Sequence, residues 1–208
     1  MLSNEYKNLS PDLACKPEQI LKGAMQVFLQ HGYAGTSMDR VAAKAGVSKH
    51  TIYNHFQGKQ GLFIALIERL VLRNFHNEFG CELPLTDPAS QVLRRFAQLI
   101  LAKTDDPEYI AFVRLLFAES GRFPELAKLY YQEVIQAGHQ FLSDYFKTHS
   151  EFHLTDPEMT ARIFIGSLIT YVFSQEVLHG KSIESIPKDQ LINALIDLIL
   201  SQRSGDLE

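Results

Sequence analysis

The chain has 208 residues, a net charge of −4 and 46% hydrophobic residues, values typical of a globular protein with a sizeable core. The net charge hides an uneven distribution, because residues 16–60 carry six basic and two acidic side chains. This segment has a charge of +4 and the remainder has −8, so a basic N-terminal module precedes an acidic body. Two cysteines are too few for a disulfide framework. Because no signal peptide or membrane span is evident, we expect a cytoplasmic protein that makes no contact with a membrane.

The first predicted element is a helix that follows an N-terminal arm. Residues 1–13 show no hydrophobic period, so they are predicted to be a flexible arm. Pro17 favours a helix start, and apolar residues at helical spacing predict a helix over 17–31 that ends at Gly32.

Two short helices are predicted next, joined by a turn that contains glycine. Thr36 and Ser37 offer N-cap hydroxyls to a helix over 38–45, which stops at Gly46, a residue suited to a left-handed C-cap. Ser48 then caps a third helix. This pairing is typical of a helix-turn-helix motif.

The third helix has a buried face and a polar face. At 100° per residue, Ile52 and Phe56 define the buried side. The residues that point outward can all donate or accept a hydrogen bond; they are His50, Thr51, Tyr53 and Asn54. An idle surface usually carries better helix formers, so this choice of residues favours a helix that enters a DNA major groove.

The remainder of the chain is also predicted to be helical. Helical spacing and Pro-containing starts define the later elements, at about 59–79, 88–104, 107–119, 124–149, 157–179 and 188–202. Because no alternating strand pattern of useful length occurs, the fold is predicted to be all-α. We expect an N-terminal three-helix helix-turn-helix domain followed by a helical regulatory and dimerisation domain over 80–208.

The N-terminal run ILKGAMQVFLQHGYAGTSMDRVAAKAGVSKHTIYNHFQGKQGLFIALIERL resembles the DNA-binding domain of the TetR/AcrR family of transcriptional regulators. The resemblance covers residues 14–74, with the helix-turn-helix motif at 37–56. It rests on Phe28, Gly32-Tyr33, Thr36, Val41-Ala42, Ala45-Gly46-Val47-Ser48, Ile52-Tyr53, His55-Phe56, Lys59 and Leu62. The later run FVRLLFAESGRFPELAKLYY, at 112–131, is similar to part of the C-terminal domain of the AefR-like branch.

This resemblance implies a double-stranded DNA operator as partner and specific contact residues. Contacts from the recognition helix are implied for Lys49, His50, Thr51, Tyr53 and His55, and phosphate contacts for Thr36 or Ser37, Tyr53 and Lys59. The helical wheel favours Asn54 over His55 for the outward face, so both remain candidates. Because position 50 is often glycine or proline in this family, His50 departs from the pattern and reads either a base or a phosphate.

The second domain is rich in aromatic residues at helical spacing. Most are expected to be core, since aromatic side chains dominate helical cores. The alternative is a pocket between helices for a small, apolar or aromatic effector, with tyrosine hydroxyls or an arginine that orients it. Its candidate residues are Phe96, Tyr109, Phe112, Arg114, Tyr130 and Tyr171.

The last two helices point to a homodimer. Residues 191–200 are apolar nearly all round, so one face needs cover beyond the chain's own core. A second subunit is the simplest cover, and the resemblance implies a four-helix interface. The candidate interface residues are Phe164, Leu168, Leu191, Leu195 and Leu198. A dimer would place two recognition helices about 34 Å apart, so it predicts a palindromic operator.

We therefore expect a ligand-responsive homodimeric repressor, with a non-inducible DNA-binding regulator as the alternative. An enzyme with a tethering helix-turn-helix domain is a third reading, but no nucleophile set, acid/base pair or Gly-rich phosphate loop supports it. No metal site and no cofactor are expected, because the histidines lack ligand spacing within a helix.

Overall fold

The computed structural model describes residues 11–80 and 82–201, with side chains from residue 16 onward. These residues form helices and no strand, which confirms the all-α prediction. The α-helices are α1 (Pro11–Gly35), α2 (Met38–Ala45), α3 (Lys49–Phe56), α4 (Lys59–Ile67), α5 (Arg73–Phe79), α6 (Ala89–Ala102), α7 (Pro107–Ser120), α8 (Pro124–Tyr130), α9 (Ala137–Thr148), α10 (Pro157–Tyr171) and α11 (Lys188–Ser201). Short 3₁₀ turns lie at Lys103–Asp105 and Gly180–Ser182.

The helix boundaries differ from the predicted ones in two respects. First, α1 begins at Pro11 rather than Pro17, so residues 11–13 of the predicted arm are helical, and residues 1–10 lie outside the described part. Second, three helices predicted as single α-helices each contain a π-helical segment, at Glu68–Leu72, Tyr131–Gln136 and Val172–Val177. The π-helix is rare and occurs mostly as single turns inside α-helices, so the sequence gives no specific reason to predict it.

The described residues group into two compact units, and the first is discontinuous in sequence. It comprises the chain up to Leu70 together with Arg114–Ala127, and the second comprises Val71–Val113 and the chain from Lys128 onward. The predicted N-terminal domain, 14–74, therefore lacked the segment that contains the second half of α7 and the start of α8. That segment carried no basic or helix-turn-helix pattern that would have assigned it to the first unit.

In the first unit, α1 and α2 cross at the distance of direct backbone contact. A Cβ atom on Gly23 would lie 2.9 Å from the Ala45 Cβ, closer than any real side chain allows. The Gln19 side-chain amide donates a 2.8 Å hydrogen bond to the Ala45 carbonyl at the end of α2. Beneath this crossing the fully buried rings of Phe28 and Phe63 meet edge to face at 6.2 Å. The first unit therefore has a packed core of its own.

The second unit is built around aromatic side chains. The Phe75 ring lies 5.2 Å from the Phe96 ring and 5.1 Å from the Phe141 ring, both edge to face, and Phe96 lies 6.2 Å from Phe164. Since Phe96 and Phe164 are almost completely buried, these contacts form the centre of the bundle. Within the described residues, every helix is too short or too polar to cross a bilayer.

Candidate DNA-binding site

The turn between α2 and α3 is fixed by one glycine and one serine. Gly46 adopts the left-handed conformation, with φ 64°, and its N–H closes the C-terminus of α2. Ser48 is extended and its Oγ accepts a 3.0 Å hydrogen bond from the Thr51 N–H, so it is the N-cap of α3. The predicted helix-turn-helix arrangement is confirmed, and its caps fix the direction in which α3 leaves the turn.

Helix α3 buries one face and exposes the other. Ile52 is fully buried and Phe56 is 7% exposed, as the helical wheel predicts. The exposed side chains are those of Lys49, His50, Tyr53 and Asn54. These four side chains are the surface that α3 offers to a partner.

Two other predicted contact residues of α3 are less available. The Thr51 hydroxyl lies 2.7 Å from the Ser48 hydroxyl, and the residue is half-buried. His55 is also half-buried, with its ring centroid 6.0 Å from that of Phe56. Between the two alternatives of the sequence analysis, the geometry therefore favours Asn54 over His55 for the outward face.

The junction between α3 and α4 brings two backbones into close contact. Gln57 and Gly58 have φ angles of 57° and 133°, and the chain reverses over these two residues. A Cβ atom on Gly61 would lie 1.7 Å from the Phe56 carbonyl oxygen. Gly58 provides no side-chain cap for α4, so this N-terminus presents backbone N–H groups of the kind that bind phosphate.

The predicted phosphate contact by the Lys59 side chain is not supported by the geometry. Its Nζ donates to the Tyr33 carbonyl at 2.8 Å and to the Thr36 carbonyl at 3.2 Å, and it lies 4.5 Å from the centre of the Tyr33 ring. A charged donor that satisfies two carbonyls binds more strongly than a neutral one. Lys59 therefore joins the start of α4 to the segment between α1 and α2.

Thr36 and Ser37, which were alternatives for a phosphate contact, have different environments. Thr36 is 4% exposed and its hydroxyl donates a 2.8 Å hydrogen bond to the Gly32 carbonyl. Ser37 is exposed, and its Oγ accepts from the Arg40 N–H at 3.3 Å as the N-cap of α2. Of these two hydroxyls, only that of Ser37 belongs to an exposed residue, because Thr36 is buried and bonds within the protein.

Two cationic groups within the motif have partners inside the protein. The Lys49 ammonium lies 3.0 Å from the Asp39 carboxylate, and both side chains are largely exposed. The hydrogen bond that Lys49 donates to Asp39, and the negative charge of that carboxylate, raise the pKa of Lys49. The Arg40 guanidinium donates to the Gly35 carbonyl. An exposed ion pair of this kind contributes little to stability, so DNA phosphates can replace Asp39 at little cost.

An open groove between α1 and α2 was not anticipated from the sequence. Its basic side chains are those of His31, Arg40 and Lys44. The charge count over 16–60 included both Arg40 and Lys44 but gave no reason to place them beside α1. The excess of positive charge is therefore not confined to α3.

The corner at Gly32 and Tyr33 is held by a residue from the second segment of the first unit. Gly32 has φ 67° and ψ 175°, which interrupts the hydrogen bonding of α1. The freed Tyr33 N–H donates to Glu119 Oε1 at 3.0 Å, and the Phe123 ring meets the Tyr33 ring at 5.1 Å. A Cβ atom on Gly32 would lie 2.3 Å from the same Glu119 oxygen. No local sequence pattern links Glu119 to Tyr33, so this contact was not predicted.

Comparison with known protein families assigns the chain to a family through two matching segments. Residues 20–66 match the family model for bacterial regulatory proteins of the tetR family. Residues 91–202, more than half of the chain, match the model for the C-terminal domain of AefR-like transcriptional repressors. This chain belongs to the TetR family. It is a DNA-binding transcriptional regulator of that family.

Individual relatives agree with this assignment. The chain is 30% identical over 170 residues to the HTH-type transcriptional regulator YhgD of Bacillus subtilis (strain 168), covering 77% of this chain and 84% of YhgD. Among solved structures, the flavonoid-responsive regulator FrrA is 29% identical with a TM-score of 0.69, covering 90% of this chain and 96% of that chain. A TetR-family regulator from Mesorhizobium loti MAFF303099 shares the fold with a TM-score of 0.67 and 23% identity, over 93% of this chain and 98% of that one.

The predicted effector residues of this TetR-family chain have different environments. Phe96 and Phe112 are almost fully buried, as expected for core residues. The hydroxyls of Tyr109 and Tyr130 share a hydrogen bond, and burial raises the pKa of both, that of Tyr130 the more. The Tyr171 hydroxyl already has a hydrogen-bond partner within the protein, since it donates to the Ile186 carbonyl at 2.7 Å.

The remaining predicted pocket residue is Arg114 on α7. It belongs to the first unit, whereas the five aromatic candidates belong to the second. The prediction grouped it with them as a charged side chain that could orient a ligand.

The predicted dimer residues require a correction on the same grounds. Phe164 and Leu168 are fully buried and Leu195 is 7% exposed, so the second unit of the TetR-family chain covers them itself. Leu191 is half-buried, and Leu198 is 55% exposed. Three of the five predicted residues therefore lie on inward faces of α10 and α11, because helices that are apolar nearly all round give no outward side from sequence alone.

Proposed function

We propose that this regulator is a homodimeric repressor that binds a palindromic operator through α3 and releases it when a small-molecule effector binds. The observation that carries the proposal is the surface of α3, where Lys49, His50, Tyr53 and Asn54 are exposed on a helix whose direction is fixed by caps. Asparagine can pair with adenine through two hydrogen bonds in the major groove. A helix of this kind is the reading element of a helix-turn-helix protein.

Phosphate contacts would fix the register of α3 on the duplex. We propose them for the exposed Ser37 hydroxyl, the Tyr53 hydroxyl, the Lys49 ammonium and the backbone N–H groups at the start of α4. Lys49 would leave Asp39 on binding, since both partners of that pair are accessible. His50, also exposed, reads either a base or a phosphate.

The proposed dimer interface lies on the outward faces of α10 and α11. Met159 and Ile163, one helical turn apart on α10, are 51% and 54% exposed, and Leu198 on α11 is 55% exposed. Further along the same helical path, Phe173 is 36% exposed. Exposed apolar residues repeated along two helices favour contact with another protein surface. A two-fold axis would place two α3 helices in successive major grooves.

The effector is proposed to be apolar or aromatic. Support comes from the aromatic interior of the second unit and from FrrA, which is named as flavonoid-responsive and is 29% identical to this chain. The response would be a population shift, in which the effector binds more tightly to a conformation whose recognition helices are wrongly spaced. The helical path of α4, the π segment and α5 runs from the first unit into the second, so it is the proposed lever.

Operator binding is tested with duplexes selected in vitro by the purified full-length protein. Asn54→Ala is expected to lower affinity by roughly 5- to 150-fold per subunit, the value of one bidentate base contact. Asn77→Ala is the matched control, because Asn77 is an exposed asparagine on α5. An Asn54→Ala protein that bound every selected duplex as tightly as the wild type would contradict the proposed role of α3.

The role of His50 is separated by the same assay on duplexes with single base changes. If His50 reads a base, His50→Ala relaxes the preference at one operator position; if it contacts a phosphate, affinity falls equally for all duplexes. Either result assigns the residue.

The response to effectors is tested by a thermal-shift screen of apolar and aromatic compounds, followed by operator titration. A compound that raises the melting temperature is expected to lower operator affinity. If a saturating compound left operator affinity unchanged, the ligand response would be refuted in favour of a non-inducible regulator.

A further inference from the structure

Helix α9 contains a buried hydroxyl that does not follow the pattern of the other helical hydroxyls in the second unit. Thr148, Thr160 and Ser167 each donate a 2.8 Å hydrogen bond to the carbonyl four residues earlier. Ser143 is 2% exposed, yet its Oγ makes no hydrogen bond to any residue that the structure describes. Its hydroxyl is therefore directed away from its own helix backbone, at a position that water does not reach.

A second buried polar atom lies one turn earlier on the same helix. His139 Nδ1 is buried and, like the Ser143 hydroxyl, has no hydrogen-bond partner among the described residues. Residues four apart lie on one face of a helix, with Cβ atoms about 5–6 Å apart. Burial, and then the charge of Arg162, lower the pKa of His139, so its imidazole is neutral at neutral pH. One helix face thus carries two neutral groups able to hydrogen-bond.

The neighbours of Ser143 on α9 are apolar, whereas His139 is half-buried. Leu142 and Phe146 on α9 are almost fully buried, and so is Phe164 on α10, which packs against α9. The closeness of the two helices is visible at Gly138, where a Cβ atom would lie 3.8 Å from Ile165 Cδ1. A buried polar atom without a partner in such surroundings is costly, and it is rare unless something else satisfies it.

We propose that Ser143 and His139 form a binding site for the hydroxyl group of an apolar, neutral ligand of the phenol class. This inference rests on the proposed ligand response and specifies the chemistry of the effector. A phenolic hydroxyl both donates and accepts, which matches a serine hydroxyl beside a neutral imidazole. A carboxylate fits less well, because Arg162 is exposed to solvent and a buried charge needs a buried partner.

The site is tested with 2-naphthol and 2-methylnaphthalene, two probes of similar shape that differ in the hydroxyl. Their fluorescence is read without a tryptophan background, since the chain has no tryptophan. The wild type is expected to bind 2-naphthol about tenfold more tightly than 2-methylnaphthalene, since a buried site built to bond a hydroxyl rejects the analogue that lacks it. Ser143→Ala is expected to reduce this ratio to within about twofold, with little change in 2-methylnaphthalene affinity, because it removes one hydrogen bond and no apolar surface.

Ser167→Ala is the matched control, because the Ser167 hydroxyl already bonds to the Ile163 carbonyl. It should preserve the preference for 2-naphthol. The inference is overturned if wild-type protein binds neither probe, if it binds both equally, or if Ser143→Ala retains the preference.

Stability provides a readout that needs no ligand. Removal of an unpartnered buried hydroxyl removes a desolvation cost, so Ser143→Ala should melt at the same or a higher temperature than the wild type. A lower melting temperature would show that the hydroxyl is satisfied within the protein and would also overturn the inference.

The same variants separate this inference from the proposed function. If Ser143→Ala loses the preference for 2-naphthol but binds the selected operator as the wild type does, the ligand site is supported. If the wild type fails to bind any selected duplex, the proposed function fails, whereas the probe ratios still decide the site.

Discussion

The helix-turn-helix and helix α9 differ in whether their buried or capping polar side chains have hydrogen-bond partners within the protein. Around the motif, Ser37 and Ser48 cap helices, the Thr36 hydroxyl bonds to a carbonyl, and the Lys59 ammonium bonds to two. On α9, the Ser143 hydroxyl and His139 Nδ1 have no partner among the described residues. A segment that must hold one geometry uses its polar groups internally, whereas a segment that keeps them unsatisfied has hydrogen bonds to offer a ligand.

The largest expected effect comes from a substitution at the junction between α3 and α4. Gly61→Ala places a Cβ atom 1.7 Å from the Phe56 carbonyl, so α3 and α4 must separate. We expect a loss of more than about 3 kcal/mol in the free energy of unfolding, measured by urea denaturation, and loss of operator binding.

Gly121→Ala is the control for this substitution, because nothing lies within 4 Å of a Cβ atom there and Gly121 is in the same unit. A stable Gly61→Ala protein that bound the operator would show that the junction between α3 and α4 is adaptable.

In the second unit, two neighbouring residues of α10 are expected to have different roles, one in the core and one in the proposed dimer interface. Phe164→Ala is expected to cost about 3–5 kcal/mol of unfolding free energy, because it empties a fully buried site. Ile163→Ala, at a 54% exposed position, should leave the secondary structure intact and weaken dimerisation. Sedimentation equilibrium over a range of concentrations measures the second effect. Dissociation caused by Phe164→Ala without loss of stability would contradict this division.

The salt dependence of DNA binding should distinguish the structural role of Lys59 from the proposed phosphate contact of Lys49. Lys59→Met is expected to cost about 1–2 kcal/mol of unfolding free energy, since two charge-assisted hydrogen bonds disappear, but to leave the salt slope unchanged. Lys49→Met is the matched variant and should lower the magnitude of the slope of log K against log salt by about 0.9 per subunit, with little loss of stability. The roles are reversed if Lys59→Met reduces the slope and Lys49→Met does not.

The smallest expected effect is the pH dependence of the unfolding free energy that His139 causes. Burial and the charge of Arg162 lower its pKa in the folded protein, so the unfolded chain binds the proton more readily. The stability contributed by neutral His139 is therefore complete above the ordinary imidazole pKa of about 6.5 and declines as the pH falls below it. Relative to His139→Gln, the wild type should lose unfolding free energy between pH 7.5 and 5.5. An unchanged difference across this range would show that the ring is accessible to solvent.

Much of this structure follows from the sequence, and the failures have identifiable causes. Helix caps and hydrophobic spacing are local, so Ser48, Gly46 and the two faces of α3 were predicted correctly. Contacts between distant segments leave no local pattern, and for that reason Glu119 beside Tyr33 was missed.

Other errors concern the direction of side chains within correct elements. The sequence shows that Lys59 is a cation at a helix start but not that two carbonyls lie within its reach. In the same way, the helix wheel of α10 cannot state whether Phe164 or Ile163 faces outward when both are apolar. Such choices depend on the neighbouring helix, which is specified elsewhere in the chain.

The hydrogen bond from the Tyr33 N–H to Glu119 also limits how this regulator can be divided. A fragment that ended at residue 74 would contain the complete helix-turn-helix and still lack the acceptor at the corner between α1 and α2. Transfer of the operator specificity of this chain to another regulator should therefore include residues 114–127 with the N-terminal segment. The unit that can be exchanged is one of spatial contact and not of continuous sequence.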